Sequence, residues 1–274
     1  MPFLHLRAAR IAYEDMGSGD PIVFIHGHPF NHTMWNDQAL LADRYRLILP
    51  DLRGYGQSGG ETSRTMMDEM ALDLAHLLDM LKVDQAVICG LSMGGQIALE
   101  FYRLFPARVR ALIIADSDAR GETPESYQRR MDLIALIERI GMRQYTEEHI
   151  HEYIAPGSLQ NQKVYDHLFS MMAGTRASAV VAAHRGRAER RDHTGALASI
   201  TVPTLLVVGS EDHFTPPSVM EAMQARIPGA RLVTIPGAGH LPNMETPEAF
   251  NQAVESFLLT VEKPPLTDPA HLSA

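Results

Sequence analysis

The chain is poor in several residue types whose abundance would decide its class. It has a single cysteine, Cys89, among 274 residues, so no intrachain disulfide can form and a cysteine-based metal site is excluded. No apolar run approaches the roughly 18 residues that cross a bilayer, and residues 1–10 lack the continuous apolar core of a signal peptide. The expectation is a cytoplasmic protein with no membrane partner. Positive charge is short as well: 24 Lys and Arg against 33 Asp and Glu leave a formal net charge of −9, which opposes binding to nucleic-acid phosphates. Acidity of this size serves solubility and says nothing of a substrate. What is there, 45% hydrophobic and 21% charged residues, is the composition of an ordinary folded protein, long enough for one large α/β domain or one domain carrying an insertion.

Short aliphatic runs recur at 22–25, 47–49, 86–89 and 111–115, each ended by Gly, Pro, His or Asp. Runs without polar alternation are the pattern of parallel strands buried on both faces. Helical stripes alternate with them. Residues 66–81 align Met70, Leu74, Leu77, Leu78 and Leu81, and residues 95–105 align Ile97, Ala98, Phe101, Leu104 and Phe105 before Pro106. Such alternation predicts a mostly parallel sheet with right-handed crossovers. From 118 to 198 the texture becomes helical and rich in Met, His, Arg and Glu, with helices expected at 127–140, 164–174 and 177–191. Strand texture returns at 204–208 and 231–235, followed by a helix at 247–259. The economical division is a core of residues 1–117 and 199–262, a helical insertion at 118–198, and a proline-bearing extension at 263–274.

The segment Val87-Ile88-Cys89-Gly90-Leu91-Ser92-Met93-Gly94-Gly95 reads as strand, sharp turn and helix. A turn tight enough to lift a serine hydroxyl off the strand end brings backbone segments together, and side chains at 90 and 94 would collide there. A Gly-x-Ser-x-Gly match alone also fits a plain glycine-rich turn; the flanking strand and amphipathic helix favour a nucleophile. Serine needs a base, and the base needs an orienting carboxylate. Strand 204–208 runs into Gly209-Ser210-Glu211-Asp212, and strand 231–235 into Pro236-Gly237-Ala238-Gly239-His240. Loops at one end of a parallel sheet converge, so Ser92, Asp212 and His240 are the expected nucleophile, acid and base. Asp212 is preferred over Glu211 and Asp116 because it holds the loop position after the late strand. Two backbone N–H groups, of Met93 at the helix start and of His28 in the turn Ile25-His26-Gly27-His28-Pro29, are the expected oxyanion donors.

These segments resemble the α/β-hydrolase superfamily over most of the chain outside the insertion. The resemblance rests jointly on His26-Gly27-x-Pro29, on Asp51-Leu52-Arg53-Gly54-Tyr55-Gly56-Gln57-Ser58, on the serine turn, on Gly209-x-x-Asp212 and on Gly239-His240. It implies an α/β fold with a mostly parallel eight-stranded sheet flanked by helices, and a helical cap at 118–198 that roofs the pocket. It implies that 51–58 is a buttressing loop, with no catalytic role for Asp51 or Arg53. The wording is similar to esterases, perhydrolases or haloperoxidases, and 3-oxoadipate enol-lactonases. Serine at 92 departs from the haloalkane dehalogenases and epoxide hydrolases, which hold Asp there. The His-Gly-His-Pro turn departs from the Gly-rich form of many lipases and from that of carbon–carbon bond hydrolases.

The expected reaction is acyl transfer from a small-molecule ester or lactone, with neither cofactor nor metal. Rival readings are carbon–carbon cleavage or perhydrolysis by the same triad, and a ligand receptor on the same fold. Trp35 and His26 are expected at the substrate pocket, although His26 also fits a buried hydrogen-bonded position and Trp35 a core one. Met93, Met171 and Met172 suit either an adaptable pocket or core filling. His149-x-His151 lacks the partnered carboxylates of a metal site, and Cys89 is expected in packing.

Overall fold

The computed structural model describes residues 1–60 and 62–261; the extension expected at 263–274 lies outside them. Eight strands form one sheet: β1 (Phe3–His5), β2 (Arg10–Gly17), β3 (Asp20–Ile25), β4 (Tyr45–Pro50), β5 (Ala86–Leu91), β6 (Val109–Ala115), β7 (Thr204–Gly209) and β8 (Arg231–Ile235). Their spatial order is β1-β2-β4-β3-β5-β6-β7-β8. β1 and β2, and β2 and β4, pair antiparallel; every other pair is parallel. The predicted strands are thus present, in the predicted parallel arrangement. β1 and β2 leave no such signature in the sequence, because an edge ribbon carrying Glu14 and Asp15 has no continuous apolar run.

All six residues of β5 and of β7 are buried. Helices cover both faces and explain why these strands need no polar alternation. On one side, α1 (Met67–Met80) packs beside α2 (Met93–Leu104). Ile97, Ala98 and Phe101 of α2 join Leu74, Leu77 and Leu78 of α1 over Ile88 and Leu112. On the other, Trp35 and Phe250 lie with Phe24, Leu47 and Val207. The order places β5 in the middle of the sheet, so whatever stands at its carboxyl end is central.

Between β6 and β7 the chain forms α3 (Pro124–His149), α4 (Gln162–Gly174) and α5 (Ala177–Ala188), with α4 and α5 both packed on α3. α3 is broken at Gly141, whose φ of 75° leaves helical space. After β7 come α6 (Pro217–Gln224), α7 (Pro242–Glu245) and α8 (Pro247–Leu258). Among the described residues no helix is long and apolar enough to cross a membrane.

Candidate active site

Ser92 stands at the junction of β5 and α2 with φ 56° and ψ −116°, a conformation that non-glycine residues avoid. The surroundings impose it. The Ser92 N–H donates to Ala115 O at 2.9 Å, and its carbonyl accepts from Ser117 Oγ at 2.7 Å and from the N–H of Gly95 at 3.0 Å. A Cβ on Gly90 would overlap the carbonyl of Gly94, and a Cβ on Gly94 would overlap that of Ile25 at the end of β3. The glycines therefore let the serine turn press against both its own helix and the turn after β3. The Met93 N–H is the first of α2 and has no intrahelical acceptor.

His240, after β8, and Asp212, after β7, are brought together. His240 Nδ1–H donates to Asp212 Oδ2 at 2.8 Å, leaving Nε2 for chemistry. Asp212 also accepts from the N–H groups of Phe214 at 2.9 Å and Thr215 at 3.2 Å, and from the Thr215 hydroxyl. Burial by itself would raise the Asp212 carboxyl, but the His240 charge and these bonds outweigh it and bring it down to about 2. It is an anion at any ordinary pH. The backbone N–H of His240 donates to Tyr153 O at 3.2 Å, in the segment between β6 and β7.

Asp116, the rival acid, is fully buried at the end of β6, and its Oδ1 accepts the Gly209 N–H at 2.8 Å. Burial, then the nearby Asp212 charge, pushes its carboxyl well above the usual range. Ligand atoms of Asp116, Asp212 and His240 fall within 4.8 Å of one another, a spacing that suits a metal ion. The hydrogen bonding does not: Asp212 Oδ2 already takes the His240 imidazole proton and the Thr215 hydroxyl.

Ser92, His240 and His28 line one cavity of about 760 Å³ that opens between the sheet-end loops and α3 and α5. Two residues expected on its wall are not there. Trp35 is fully buried between Phe24 and Phe250, at ring distances of 5.0 and 6.1 Å. His26 lies beneath the turn, where Nδ1–H donates to Gly27 O at 2.8 Å and Nε2 accepts the Leu52 N–H at 3.0 Å. Burial, opposed by Asp51, lowers it to about 4 and keeps it neutral. Both corrections have one cause: β3 and the segment after it point these side chains into the sheet's packing, and only the His28 backbone and ring reach the cavity. Met93, Met171 and Met172 likewise fill core.

The loop at 51–58 is a brace. Asp51 accepts from His32 Nδ1 at 2.7 Å and from the Gln57 N–H at 2.8 Å, while Arg53 grips Asp73 with two bonds of 2.7 Å. Its Tyr55 begins a chain that runs into the cavity wall. Arg130 Nη1 donates to His184 Nδ1 at 3.0 Å, which leaves His184 Nε2–H to donate to His28 Nε2 at 3.0 Å, and His28 Nδ1–H to donate to Tyr55 Oη at 2.6 Å. Since Arg can only donate, this order fixes both tautomers. Burial, then neighbouring positive groups, holds both histidines well below their usual range. Arg130, His184, Arg187, Gln96 and Tyr153 all line the cavity. None had a local pattern to announce it; the one available signal was the density of Arg and His in 118–198.

Comparison with known proteins places the chain among relatives of the same fold. A 3-oxoadipate enol-lactonase from Acinetobacter baylyi is 31% identical over 243 residues, 88% of this chain and 89% of that protein. A thermophilic esterase from Thermogutta terrifontis, solved with malate bound, is 38% identical and superposes with a TM-score of 0.90, over 93% of this chain and 95% of that one. An esterase from Exiguobacterium antarcticum, 26% identical, superposes with a TM-score of 0.83 over 92% and 96% of the two chains. The family model described as alpha/beta hydrolase matches residues 22–253. With that match covering most of an eight-stranded sheet whose central strand ends in a strained serine, this chain belongs to the alpha/beta hydrolase family.

Proposed function

We propose that the protein is a serine hydrolase that cleaves esters or lactones of small molecules through an acyl-enzyme on Ser92. The observation that carries this is the hydrogen bond from His240 to an ionised Asp212, on a histidine whose cavity also holds the strained Ser92. His240 Nε2 takes the Ser92 proton as Oγ attacks the carbonyl. The N–H groups of Met93 and His28 receive the oxyanion, each contributing about 3–4 kcal/mol to a tetrahedral intermediate. His240 returns the proton to the leaving alkoxide, then activates water to release the acid. Asp212 stays ionised and holds the imidazole in one tautomer.

Residues 118–198 act as a cap over a core of 1–117 and 199–262. The cavity wall draws His184 and Tyr153 from the cap and Ser92 and His240 from the core. The Acinetobacter relative is named for an enol-lactone and the Thermogutta relative for esters. Both reactions are acyl transfer to water and differ only in whether the leaving oxygen remains tethered to the acyl group, so one triad serves either.

The test is turnover of short aryl esters and of a simple lactone, with a fluorophosphonate as a covalent probe. Wild type should release aryl alcohol and lose activity on labelling, with the added mass on the Ser92 peptide. Ser92→Ala should abolish both. Ester hydrolysis at the wild-type rate by Ser92→Ala would overturn the assignment.

A further inference from the structure

The carboxylates around the cavity are engaged. Asp118 pairs with Arg120 at 2.7 Å, Glu122 with both Arg130 and Arg190, Glu152 with His149 at 2.8 Å, and Asp212 with His240. Asp132 accepts from Gln128 at 2.9 Å, and Asp116 accepts the Gly209 N–H at 2.8 Å. Two arginines of the wall form no ion pair among the described residues: Arg129, which is exposed, and Arg187, which is not. Arg187, on α5, lines the cavity, and its Nε donates to Gln96 Oε1 at 3.2 Å.

No carboxylate among the described residues answers that guanidinium. The ionisable groups around it are Arg130, Tyr55 and Tyr153, together with His28 and His184, which both feel its charge. Burial, then the positive charge of Arg130, pulls the Arg187 guanidinium below its usual range, as befits a cation without a counter-ion. A charge kept in such a place is unfavourable unless something of opposite sign comes to it.

Its position gives the site a purpose. Gln96 lies one helical turn after Ser92 on α2, and its N–H donates to Ser92 O at 3.2 Å. A guanidinium fixed to the Gln96 amide is therefore about one turn of helix from the residue that carries the nucleophile. Nε is the one guanidinium nitrogen committed among the described residues, so both Nη groups remain for a planar, two-oxygen partner.

We infer that Arg187 selects an anionic substrate: the scissile ester or lactone carries a carboxylate a few bonds from its carbonyl, and that carboxylate pairs with Arg187 inside the cavity. The inference rests on the serine-hydrolase reading of the same site. Arg130 strengthens the positive potential there, while neutral His28 and His184 fill the remaining wall without competing for the anion.

The carboxylate belongs either to the acyl part or to the leaving group, and matched substrates separate the two. Monomethyl esters of succinic, glutaric and adipic acids are compared with their dimethyl esters for the acyl side. O-acetyl-glycolate is compared with its methyl ester for the leaving-group side. Wild type should favour the charged member by about 10-fold or more in kcat/KM on one of these arms. Arg187→Gln should lower the charged-to-neutral ratio by about 10- to 100-fold, through KM, and Arg187→Lys should restore part of it. Succinate binding to the Ser92→Ala protein, measured by calorimetry, should weaken at least about 10-fold when Arg187→Gln is added.

Equal wild-type turnover of charged and neutral members on both arms would overturn the inference. So would Arg187→Gln lowering both members alike, which is what a purely structural role predicts. If wild type cleaves no ester at all but Ser92→Ala still binds succinate through Arg187, the hydrolase reading fails and the anion site stands.

Discussion

Glu245 holds the two residues on either side of His240. Its Oε1 accepts the N–H of Gly239 at 2.9 Å and of Leu241 at 3.0 Å, and its Oε2 accepts the N–H of Ala155 at 2.7 Å. One side chain thus fixes the backbone around the proposed base and ties it to the segment between β6 and β7. Glutamine offers one acceptor oxygen instead of two and puts an NH₂ against an N–H donor. Glu245→Gln should lower kcat about 10-fold with KM changed less than about threefold, because the imidazole loses its aim while the cavity wall is untouched. Losing one or two charge-assisted bonds of about 1.5–3 kcal/mol each should lower Tm by several degrees. Steady-state kinetics and thermal denaturation on one preparation check both. A fall confined to KM would remove Glu245 from any positioning role.

Ser92 carries a backbone cost of roughly 1–3 kcal/mol for its positive φ, borne by the fold because the hydroxyl is wanted there. Alanine at this position keeps the strain and glycine relieves it. Ser92→Gly and Ser92→Ala should both be inactive, yet the glycine variant should melt about 2–4 °C higher, after allowing for its greater freedom in the unfolded chain. Equal melting temperatures would mean that the turn is not strained.

The proposed nucleophile, base and acid stand out in the sequence because each follows a recognisable strand and because the serine turn admits only small residues at 90 and 94. Glycine leaves a mark in a sequence when two backbones touch, as Gly94 does with Ile25. His26 and Trp35 were misplaced for a related reason. Proximity in sequence to the turn after β3 does not say which way a side chain points, and both point into packing. The chain from Arg130 through His184 and His28 to Tyr55 joins four segments that no local pattern connects. Arg187 is the sharpest case. Beside His184 and Arg185 on its helix it reads as a solvated basic residue, and only the fold shows that it meets Gln96 and, among the described residues, no carboxylate.

Asp212 and His240 make a pair whose contribution depends on pH in a defined window. The Asp212 carboxyl moves from 3.8 to about 2 on folding. A lowered carboxyl contributes stability that is present above the unfolded value and is lost as pH falls through the folded one. The amount is about 2–3 kcal/mol. Asp212→Asn should therefore be less stable than wild type at pH 5, with the gap narrowing from about pH 4 to about pH 2. Its activity at neutral pH should fall by about 10³- to 10⁴-fold, since an amide no longer dictates the tautomer. Denaturant unfolding at several pH values, alongside kcat, tests the two statements separately.

Asp116 gives the opposite sign. Its carboxyl is raised well above 3.8, by burial first and by the Asp212 charge second. Folded protein then holds a proton that the unfolded chain releases, so the Asp116 contribution is fullest below pH 4 and declines as pH climbs toward the folded value. The decline is about 1.4 kcal/mol for each pH unit in that interval. The substitution Asp116→Asn removes the titration while keeping an oxygen for the Gly209 N–H, and asparagine tolerates the φ of 44° found there. Asp116→Asn should match wild type near pH 4 and exceed it as pH rises above the unfolded value, while ester turnover continues. Unfolding free energies of the two proteins measured at pH 4, 6 and 8 decide the matter. Parallel curves would mean that Asp116 is ionised in the folded state, and that two adjacent carboxylates share the negative charge beneath His240.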